Sequence, residues 1–420
     1  MIRRLTAHPL LRAAAPALVV ALGIASLTVL FAWGDGIYFR LRVAAGMKPY
    51  EPFLDLHAVM AAIECWHRGV DVYASNPCDE YGRLHIYSPL LLRLPAAFGD
   101  PALRLPLGVG FALGFAASLL WLPPAPRGGL PALLLATAAP VTAFALERAN
   151  FDLLVFMLVV PGAVLLAHGQ AARILGFALF VVAGLLKFYP LVLLLLLVRE
   201  RPPVMFALLL VAAAILRATL GTIIDETRHA IDLIPVQAVF WGSFAAHNLP
   251  RGLMALTASP AAGALALAAG LATAALAAWR ALRGPGLAAG LWALPPVTRS
   301  LLLASATLVA GCFLAGENIE YRAILVLPAL PALLALPATR HAGWLVAALM
   351  WHPLAQRLAA HLAPPEGGQP SLPGLALWAA YNLAWWWLAA VLVTVALLLL
   401  RDAPGLALLR PWATARRGGR

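Results

Sequence analysis

The sequence predicts an all-α protein that crosses a membrane many times, and three features of it lead to that class. Hydrophobic residues make up 63% of the chain and charged residues 11%, which lies far outside soluble globular usage. The apolar residues are gathered into stretches of ~20 residues, the length that a helix needs to cross a bilayer. The basic residues, which bring the net charge to +12, lie mainly between those stretches, a pattern that sets orientation and does not indicate nucleic-acid binding.

The predicted elements follow one another along almost the whole chain. A basic start precedes a first apolar stretch, 13–33, whose length favours a retained anchor over a cleaved signal peptide. The longest polar segment, 34–100, comes next as one loop carrying amphipathic helices. The apolar spacing in "LDLHAVMAAIECW", which contains Asp55, predicts that one of these helices lies on the membrane. The later apolar stretches lie near 104–122, 130–146, 151–167, 174–198, 203–221, 261–281, 300–315, 321–338, 342–357 and 373–400. We expect a single transmembrane domain, 1–420, with about 10 to 12 transmembrane segments.

The positive-inside rule predicts how these segments are oriented. The arginines between segments should be cytoplasmic, together with both termini and the basic tail 401–420. They are Arg3, Arg4, Arg12, Arg127, Arg173, Arg199, Arg201, Arg280, Arg283, Arg299, Arg340, Arg416, Arg417 and Arg420. The loop 34–100 is then exoplasmic, and the protein is expected in the cytoplasmic (inner) membrane.

The stretch 174–198 must begin and end on the cytoplasmic side, which a single helix cannot do. We therefore predict two short legs that meet near Lys187, because Pro190 interrupts helical hydrogen bonding there. Each leg is shorter than the ~30 Å hydrocarbon core, so the turn between them should lie in protein or in a wet cavity.

With this topology, polar residues from five separate connections fall on the exoplasmic side. Such convergence predicts one polar cavity, with Lys187 facing it. The candidate site residues are Asp55, Glu147, Arg148, Asn150, Asp152, Lys187, Tyr189, Asn248, Glu317, Asn318, Tyr321 and Arg322.

Simpler interpretations stay open for several of these residues. Lys187 alone could extend its ammonium to the membrane interface. Asp55 could be a helix cap. Glu147 with Arg148, and Glu317 or Glu320 with Arg322, could be structural ion pairs.

Other polar and aromatic residues carry weaker predictions. The histidines of the long loop lack metal-ligand spacing, so no metal site is assigned and metal dependence stays open. Cys65 and Cys78 share that loop and could pair if it faces an oxidising compartment. The run Trp385–Trp387 is expected to form an interfacial belt, with sugar stacking as the alternative.

The candidate residues also suggest a substrate. Arginine and lysine together suit a phosphate, and a nearby carboxylate suits proton abstraction. Nothing resembles a glycine-rich phosphate loop for a soluble nucleotide. A lipid-linked phosphate, which already lies in the membrane, is the donor that these features favour.

Several stretches resemble the GT-C superfamily of integral-membrane glycosyltransferases, and most closely glycosyltransferase family 87, the polyprenyl-phosphate-mannose-dependent mannosyltransferases and their uncharacterised relatives. They run from about residue 50 to 335, and Ala149 stands where the family pattern leads us to expect glycine. The stretches are "DLHAVMAAIECWHRGVDVYASNP", "YSPLLLRLP", "ERANFDLLVFML", "GLLKFYPLVLLLLL" and "ENIEYRAILVLPALP".

The resemblance implies inverting transfer of a glycosyl residue, mannosyl in most of the family, from a polyprenyl-phosphate sugar to a glycan or glycolipid acceptor. Asp55 would be the general base, and Lys187, Arg148 and Arg322 would neutralise the departing phosphate. Asn150, Asp152, Asn318 and Tyr321 would hold sugar hydroxyls. No cofactor is expected beyond the lipid-linked donor. A transporter or flippase of a lipid-linked or anionic substrate is the alternative, because transporters also place charges at broken helices.

Overall fold

The computed structural model describes residues 9–33, 35–44, 51–233, 240, 242–363 and 370–409, and this part of the chain is almost entirely helical. Its β-structure consists of two short strands, β1 (Ser243–Phe244) and β2 (Asn318–Ile319), which pair antiparallel. The predicted all-α class is confirmed. The predictions for Arg3, Arg4, part of the long loop and the end of the basic tail, with Arg416, Arg417 and Arg420, fall outside the described residues.

The α-helices vary from 6 to 29 residues in length. In chain order they are α1 Pro9–Trp33, α2 Asp35–Ala44, α3 Leu54–His67, α4 Arg104–Leu119, α5 Leu130–Thr137, α6 Pro140–Arg148, α7 Phe151–Leu165, α8 Gln170–Leu186, α9 Pro202–Thr219, α10 Ile224–Asp232, α11 Asn248–Thr257, α12 Pro260–Arg283, α13 Leu287–Ala293, α14 Pro296–Ala315, α15 Leu330–Ala335, α16 Arg340–Met350, α17 His352–Leu362 and α18 Leu372–Leu400. The 3₁₀ segments are Pro89–Arg93, Ala96–Gly99, Pro101–Leu103, Tyr189–Arg199, Gly221–Ile223, Glu320–Ala329 and Pro404–Leu409.

Within the described ranges, six helical stretches are long and apolar enough to cross a membrane. They are Pro101–Leu119, Leu130–Arg148, Pro202–Thr219, Pro260–Arg283, Pro296–Ala315 and Leu372–Leu400. The protein is therefore a polytopic membrane protein. Four further apolar helices are shorter, Leu10–Ser26, Phe151–Leu165, Gln170–Leu186 and Tyr189–Arg199. The total of 10 to 12 transmembrane segments stays a prediction.

The spanning helices differ sharply in how much protein surrounds them. The protein buries only 11% of the apolar segment of α9, but it buries 78% of the apolar segment of α14. Lipid is the remaining neighbour for an apolar surface that protein does not cover, so α9 lies at the periphery and α14 at the centre. The 3₁₀ segment Glu320–Ala329 packs beside α14 in the main apolar core, where its residues from Ala323 to Ala329 are buried.

The broken helical hairpin predicted around Lys187 is confirmed. Helix α8 ends at Leu186, whose carbonyl would clash with the ring of Pro190 four residues later. The chain continues as the 3₁₀ segment Tyr189–Arg199 and folds back along α8. At the open end of this hairpin, Arg173 Nε lies 2.7 Å from Glu200 Oε1, so residues 27 positions apart are neighbours.

Helix α3, which carries Asp55, is buried on nearly all sides. The prediction that it lies on the membrane as an amphipathic helix is wrong, because ten of its 14 residues are buried. One side packs with Leu91, Ala149 and Phe151. The other side packs with Val72, Tyr73 and Leu92 and with Ala230 of α10. Irregular segments of the long loop fold over the face of α3 that was expected to contact solvent or lipid.

Two of the three consecutive tryptophans in α18 are also in the protein interior. Trp385 and Trp386 are 1% and 6% exposed, and Trp385 stacks on Phe244 with ring centroids 3.8 Å apart. The prediction of an interfacial belt is therefore wrong for these two residues. Trp385 thus fills the space between α18 and β1, whereas Trp386 packs edge-to-face against Phe313 of α14, with ring centroids 5.3 Å apart.

The structure resolves the cysteine pairing that the sequence left open. Cys65 at the end of α3 is joined by a disulfide to Cys78, with their Cα atoms 5.8 Å apart. The bond closes the loop that follows α3. Cys312, in contrast, is buried with a free thiol.

The double variant Cys65→Ser/Cys78→Ser is expected to lose about 3 kcal/mol of stability, because the crosslink restricts the unfolded loop of this length. The measurement is the melting temperature of the purified protein in detergent. A reductant should lower the melting temperature of the wild type to that of the variant and leave the variant unchanged. Equal melting temperatures of the untreated proteins would contradict the prediction.

Candidate active site

Asp55 is held in place by an unusual turn just before α3. Phe53 adopts a left-handed backbone, with φ of 63°, and its N–H donates to the carbonyl of Glu147 at 2.5 Å. A non-glycine residue in this region costs roughly 1–2 kcal/mol, and such strain is often kept at functional sites. Asp55 itself caps no helix amide. Its carboxylate accepts a hydrogen bond from Asn150, so the helix-cap interpretation does not describe it.

A second left-handed residue positions Asn150. Helix α6 ends at Arg148, Ala149 has φ of 44°, and Asn150 then caps α7 by accepting a hydrogen bond from the Asp152 N–H at 2.9 Å. This reversal of the chain brings the side chains of Arg148, Asn150 and Asp152 to the junction between α6 and α7. It also explains why glycine is the expected residue at 149, since glycine alone adopts this conformation without a steric cost.

The side-chain amide of Asn150 joins the candidate base to the candidate cation. Its Nδ2 donates to Asp55 Oδ2 at 2.6 Å, and its Oδ1 accepts from Lys187 Nζ at 2.8 Å. Asn150 is completely buried. The predicted convergence of Asp55 and Lys187 is confirmed, although 132 positions separate them in the sequence.

Asp152 is the centre of the cationic half of the site. One carboxylate oxygen accepts from Lys187 Nζ and from the Tyr189 hydroxyl, both at 2.7 Å. The other lies 3.4 Å from Arg322 Nε. Asp152 is completely buried and Lys187 is 9% exposed, so the Lys187 ammonium is held inside the protein. Two cations share one carboxylate, which leaves an excess positive charge beside Asp55.

Asn318 orients Arg322 through a second guanidinium nitrogen, different from the one that faces Asp152. Its Oδ1 accepts from Arg322 Nη1 at 2.7 Å. Its amide nitrogen donates to the backbone carbonyls of Phe244, Cys312 and Gly316 at 2.8–3.0 Å. Because β2 pairs with β1, Asn318 is tied to the chain that precedes α11. In this arrangement its hydrogen-bonding groups are engaged within the protein.

Aromatic rings surround the two cations. Lys187 Nζ lies 5.2 Å from the ring centre of Tyr87 and 5.9 Å from that of Tyr321. Arg322 Cζ lies 4.4 Å from the ring centre of Tyr189. Ring faces attract cations, and these rings also exclude water from the site. Burial, followed by the charge of Asp55, raises the pKa of Tyr87 well above its usual value, so its hydroxyl stays protonated.

Three predicted residues lie at the edge of this network. Glu147 is buried and supplies the backbone carbonyl that holds Phe53. Glu317 has its carboxylate 3.9 Å from Arg251 and its backbone carbonyl 3.5 Å from Arg322. Asn248 donates to Ser243 of β1 at 3.1 Å. These contacts support the strands and turns that carry the central residues.

Asp55 also has two arginine neighbours. Arg148 Nε lies 3.4 Å and Arg83 Nη1 lies 3.9 Å from Asp55 Oδ1. Arg148 was predicted, whereas Arg83 and Tyr87 were missed. Tyr87 belongs to the Tyr-x-Pro element that the sequence displays, so a signal for it existed. Arg83 lies in irregular chain with no pattern that marks it.

Arg83 is oriented by Asp79, whose side chain is buried. The carboxylate of Asp79 accepts from the Arg83 backbone N–H and Nε at 2.9 Å each. Burial acts to raise the pKa of Asp79, but the hydrogen bonds and charge of Arg83 outweigh burial and hold that pKa below its usual value. A carboxylate with a depressed pKa stabilises the fold above the unfolded pKa and loses that contribution as pH falls through the folded one.

We therefore expect Asp79→Asn to cost about 2 kcal/mol at neutral pH, the usual size for hydrogen bonds to a charged group. The melting temperatures of variant and wild type should approach each other as the pH falls below about 4, near the unfolded carboxyl pKa. Thermal melts in detergent from pH 7 to pH 3 measure this difference. A difference that stays constant over the whole range would contradict the assignment.

Over the described part of the chain, no three His, Cys, Asp or Glu side chains are grouped so that they could hold a metal ion. The carboxylates of the site are instead paired with arginine, lysine and amide groups. The site thus combines a carboxylate, an amide bridge and a cationic cluster enclosed by aromatic rings.

Comparison of the chain with protein-family models, with curated proteins and with solved structures finds no match.

Proposed function

We propose that the protein transfers a glycosyl residue from a polyprenyl-phosphate-linked sugar to a glycan or glycolipid acceptor on the exoplasmic side of the membrane. The observation that carries this proposal is the amide of Asn150, which places the Asp55 carboxylate next to the Lys187–Asp152–Arg322 cluster. Transfer from a sugar phosphate needs these two functions side by side: a base for the acceptor hydroxyl and cations for the departing phosphate.

The reaction that fits this arrangement is a single displacement with inversion. Asp55 removes the proton of the acceptor hydroxyl as its oxygen forms a bond to the anomeric carbon. The bond between that carbon and the phosphate oxygen breaks, and its electrons remain on the polyprenyl phosphate. Lys187 and Arg322 stabilise the charge that grows on this oxygen. Arg148 and Arg83, which lie beside Asp55 Oδ1, keep its carboxylate oriented.

Burial supports a lipid-linked donor. The side chains of Lys187 and Arg322, which face the departing phosphate in this mechanism, are 9% and 17% exposed. Partly buried cations interact with a phosphate more strongly than cations in water, because the surrounding dielectric is low. A donor that is already in the bilayer can reach such a site from the side. We propose mannose as the sugar on the family resemblance alone, with a GT-C-like fold of 10 to 12 segments.

The Cys65–Cys78 disulfide supports an exoplasmic site. The bond lies directly after the helix that carries Asp55, and structural disulfides are rare in the reducing cytoplasm. The orientation from the positive-inside rule agrees with it. We therefore propose that the site faces the exoplasmic side of the cytoplasmic membrane, that both termini are cytoplasmic, and that the protein functions in the cell envelope.

The test is to incubate the purified protein with polyprenyl-phosphate mannose and other polyprenyl-phosphate sugars, together with a panel of glycan and glycolipid acceptors. Release of free polyprenyl phosphate with matching transfer of the sugar supports the proposal. A transporter or flippase would move the donor across a reconstituted vesicle membrane and leave its sugar–phosphate bond intact. Movement without bond cleavage would replace the proposed function by that alternative.

A further inference from the structure

A polar cavity lies at the opposite end of the helical hairpin from Lys187. Its volume is about 820 Å³, and its polar lining includes Arg173, Arg199, Glu200, Arg201, Arg299 and Ser300. Arg173 precedes Lys187 by 14 positions, almost all of them within α8. At 1.5 Å per residue the two sites are ~20 Å apart, so this basic cleft, defined by the six residues above, is distinct from the candidate active site.

The basic cleft contains more positive charge than its own acid can balance. Among the described residues that line it, Glu200 is the one carboxylate, and both of its oxygens accept hydrogen bonds from Arg173, at 2.7 and 3.0 Å. Arg199 Nη1 makes a long contact of 3.4 Å to the Ser300 hydroxyl. Arg299 donates to the backbone carbonyl of Trp292 at 2.8 Å. Both of these partners are neutral.

Three helices begin at the basic cleft and add to its positive potential. They are α8, α9 and α14, with 17, 18 and 20 residues, and Gln170 and Pro296 at two of these starts line the cavity. The first N–H groups of a helix have no partner within the helix, and the helix dipole makes this end attractive to anions. Helix α8 offers the N–H groups of its first turn, whereas Pro202, Pro203 and Pro296 carry no N–H, so α9 and α14 contribute mainly through the helix dipole.

Three arginines of the basic cleft are less exposed than the arginines at the end of α12. Arg280 and Arg283, at the end of α12, are exposed to solvent. Arg173, Arg199 and Arg299 are partly buried around the buried Glu200. Gathering like charges in a partly buried cavity is costly unless an anion neutralises them.

We propose that the basic cleft binds a phosphate group, carried either by the head of an anionic lipid or by a soluble phosphate, on the predicted cytoplasmic face. Guanidinium groups pair with phosphate oxygens through two parallel hydrogen bonds, and several such groups here face one cavity. The proposal is independent of glycosyl transfer, because it rests on residues that take no part in the candidate active site.

The experiment uses the full chain purified in an uncharged detergent. Its melting temperature is followed while phosphatidylglycerol, phosphatidylcholine or inorganic phosphate is added, with chloride at matched ionic strength as the salt control. A stabilisation by phosphatidylglycerol alone identifies a lipid head group, and one by inorganic phosphate identifies a soluble anion. No stabilisation by either compound would overturn the proposal.

Variants connect the effect to the cleft. Arg199→Gln and Arg201→Gln should each raise the half-saturating concentration about fivefold, which corresponds to ~1 kcal/mol per basic residue near an anionic head group. Arg283→Gln, which removes an equal charge outside the cleft, should leave binding unchanged. The exposed Arg201 keeps the test decisive if Arg199→Gln does not fold. Equal weakening in Arg283→Gln and the cleft variants would show unspecific charge attraction and overturn the proposal.

Discussion

Replacing Asp55 by asparagine is expected to slow glycosyl transfer by ~10²–10⁴-fold, the usual contribution of a general base. Asparagine has nearly the same shape, and its carbonyl oxygen can still accept the hydrogen bond that Asn150 donates to Asp55. Its neutral amide cannot take a proton from the acceptor hydroxyl. The loss should therefore appear in kcat, measured as release of polyprenyl phosphate per folded molecule, with KM little changed.

Asp225→Asn is the matched control, because the Asp225 side chain is 84% exposed on α10 and pairs only loosely with Arg228. This variant should keep full activity. Melting temperature and elution as a single species should confirm that both variants are folded. An Asp55→Asn protein with wild-type activity would remove Asp55 from the role of base, and equal losses in both variants would point to general damage.

Replacing Asp152 by asparagine should produce the largest loss of stability, about 3–5 kcal/mol, the range observed when one partner of a buried ion pair is removed. The carboxylate is completely buried between Lys187 and Arg322, and without it two cations remain in a site of low dielectric. The expected result is low yield and a melting temperature well below that of the wild type in the same detergent.

The double variant Asp152→Asn/Lys187→Met tests the reason for that loss. Methionine keeps much of the lysine stem and removes the charge, so the double variant should recover a large part of the stability while remaining inactive. A double variant no more stable than Asp152→Asn would contradict the role of the ion pair. At the exposed pair, Asp225→Asn should change stability by less than ~0.5 kcal/mol, as is usual for surface substitutions.

Much of the candidate site was predictable because its residues break local rules. A lysine in a hydrocarbon run is costly in a membrane, and Pro190 three positions later marks a break in the helix. The positive-inside rule then predicts that the connections at 147–152, 187–190 and 317–322 lie on one side of the membrane. The structure joins residues from these three connections in one network around Asp152.

The parts that were missed belong to irregular chain. Arg83 reaches Asp55 through a loop whose path depends on the Cys65–Cys78 disulfide and on the hydrogen bonds of Asp79. Neither feature has a sequence period from which its geometry follows. Helix α3 was expected to keep one face on the membrane because its apolar spacing is helical, but that spacing does not show that Val72 and Leu92 cover its other side.

The sequence alone determined that this protein lies in a membrane and that it is helical. The reason is that the length of the apolar stretches and the placement of arginine between them depend only on local composition. It also determined which polar residues are costly to place in a membrane and therefore need hydrogen-bond or ion-pair partners. Only the tertiary structure decided which residues those partners are. Asn150 lies between Asp55 and Lys187, and Asp152 lies between Lys187 and Arg322. The physical reason is that hydrogen bonds and ion pairs act over about 3 Å, whereas these residues lie tens of positions apart in the chain and meet only when the helices pack.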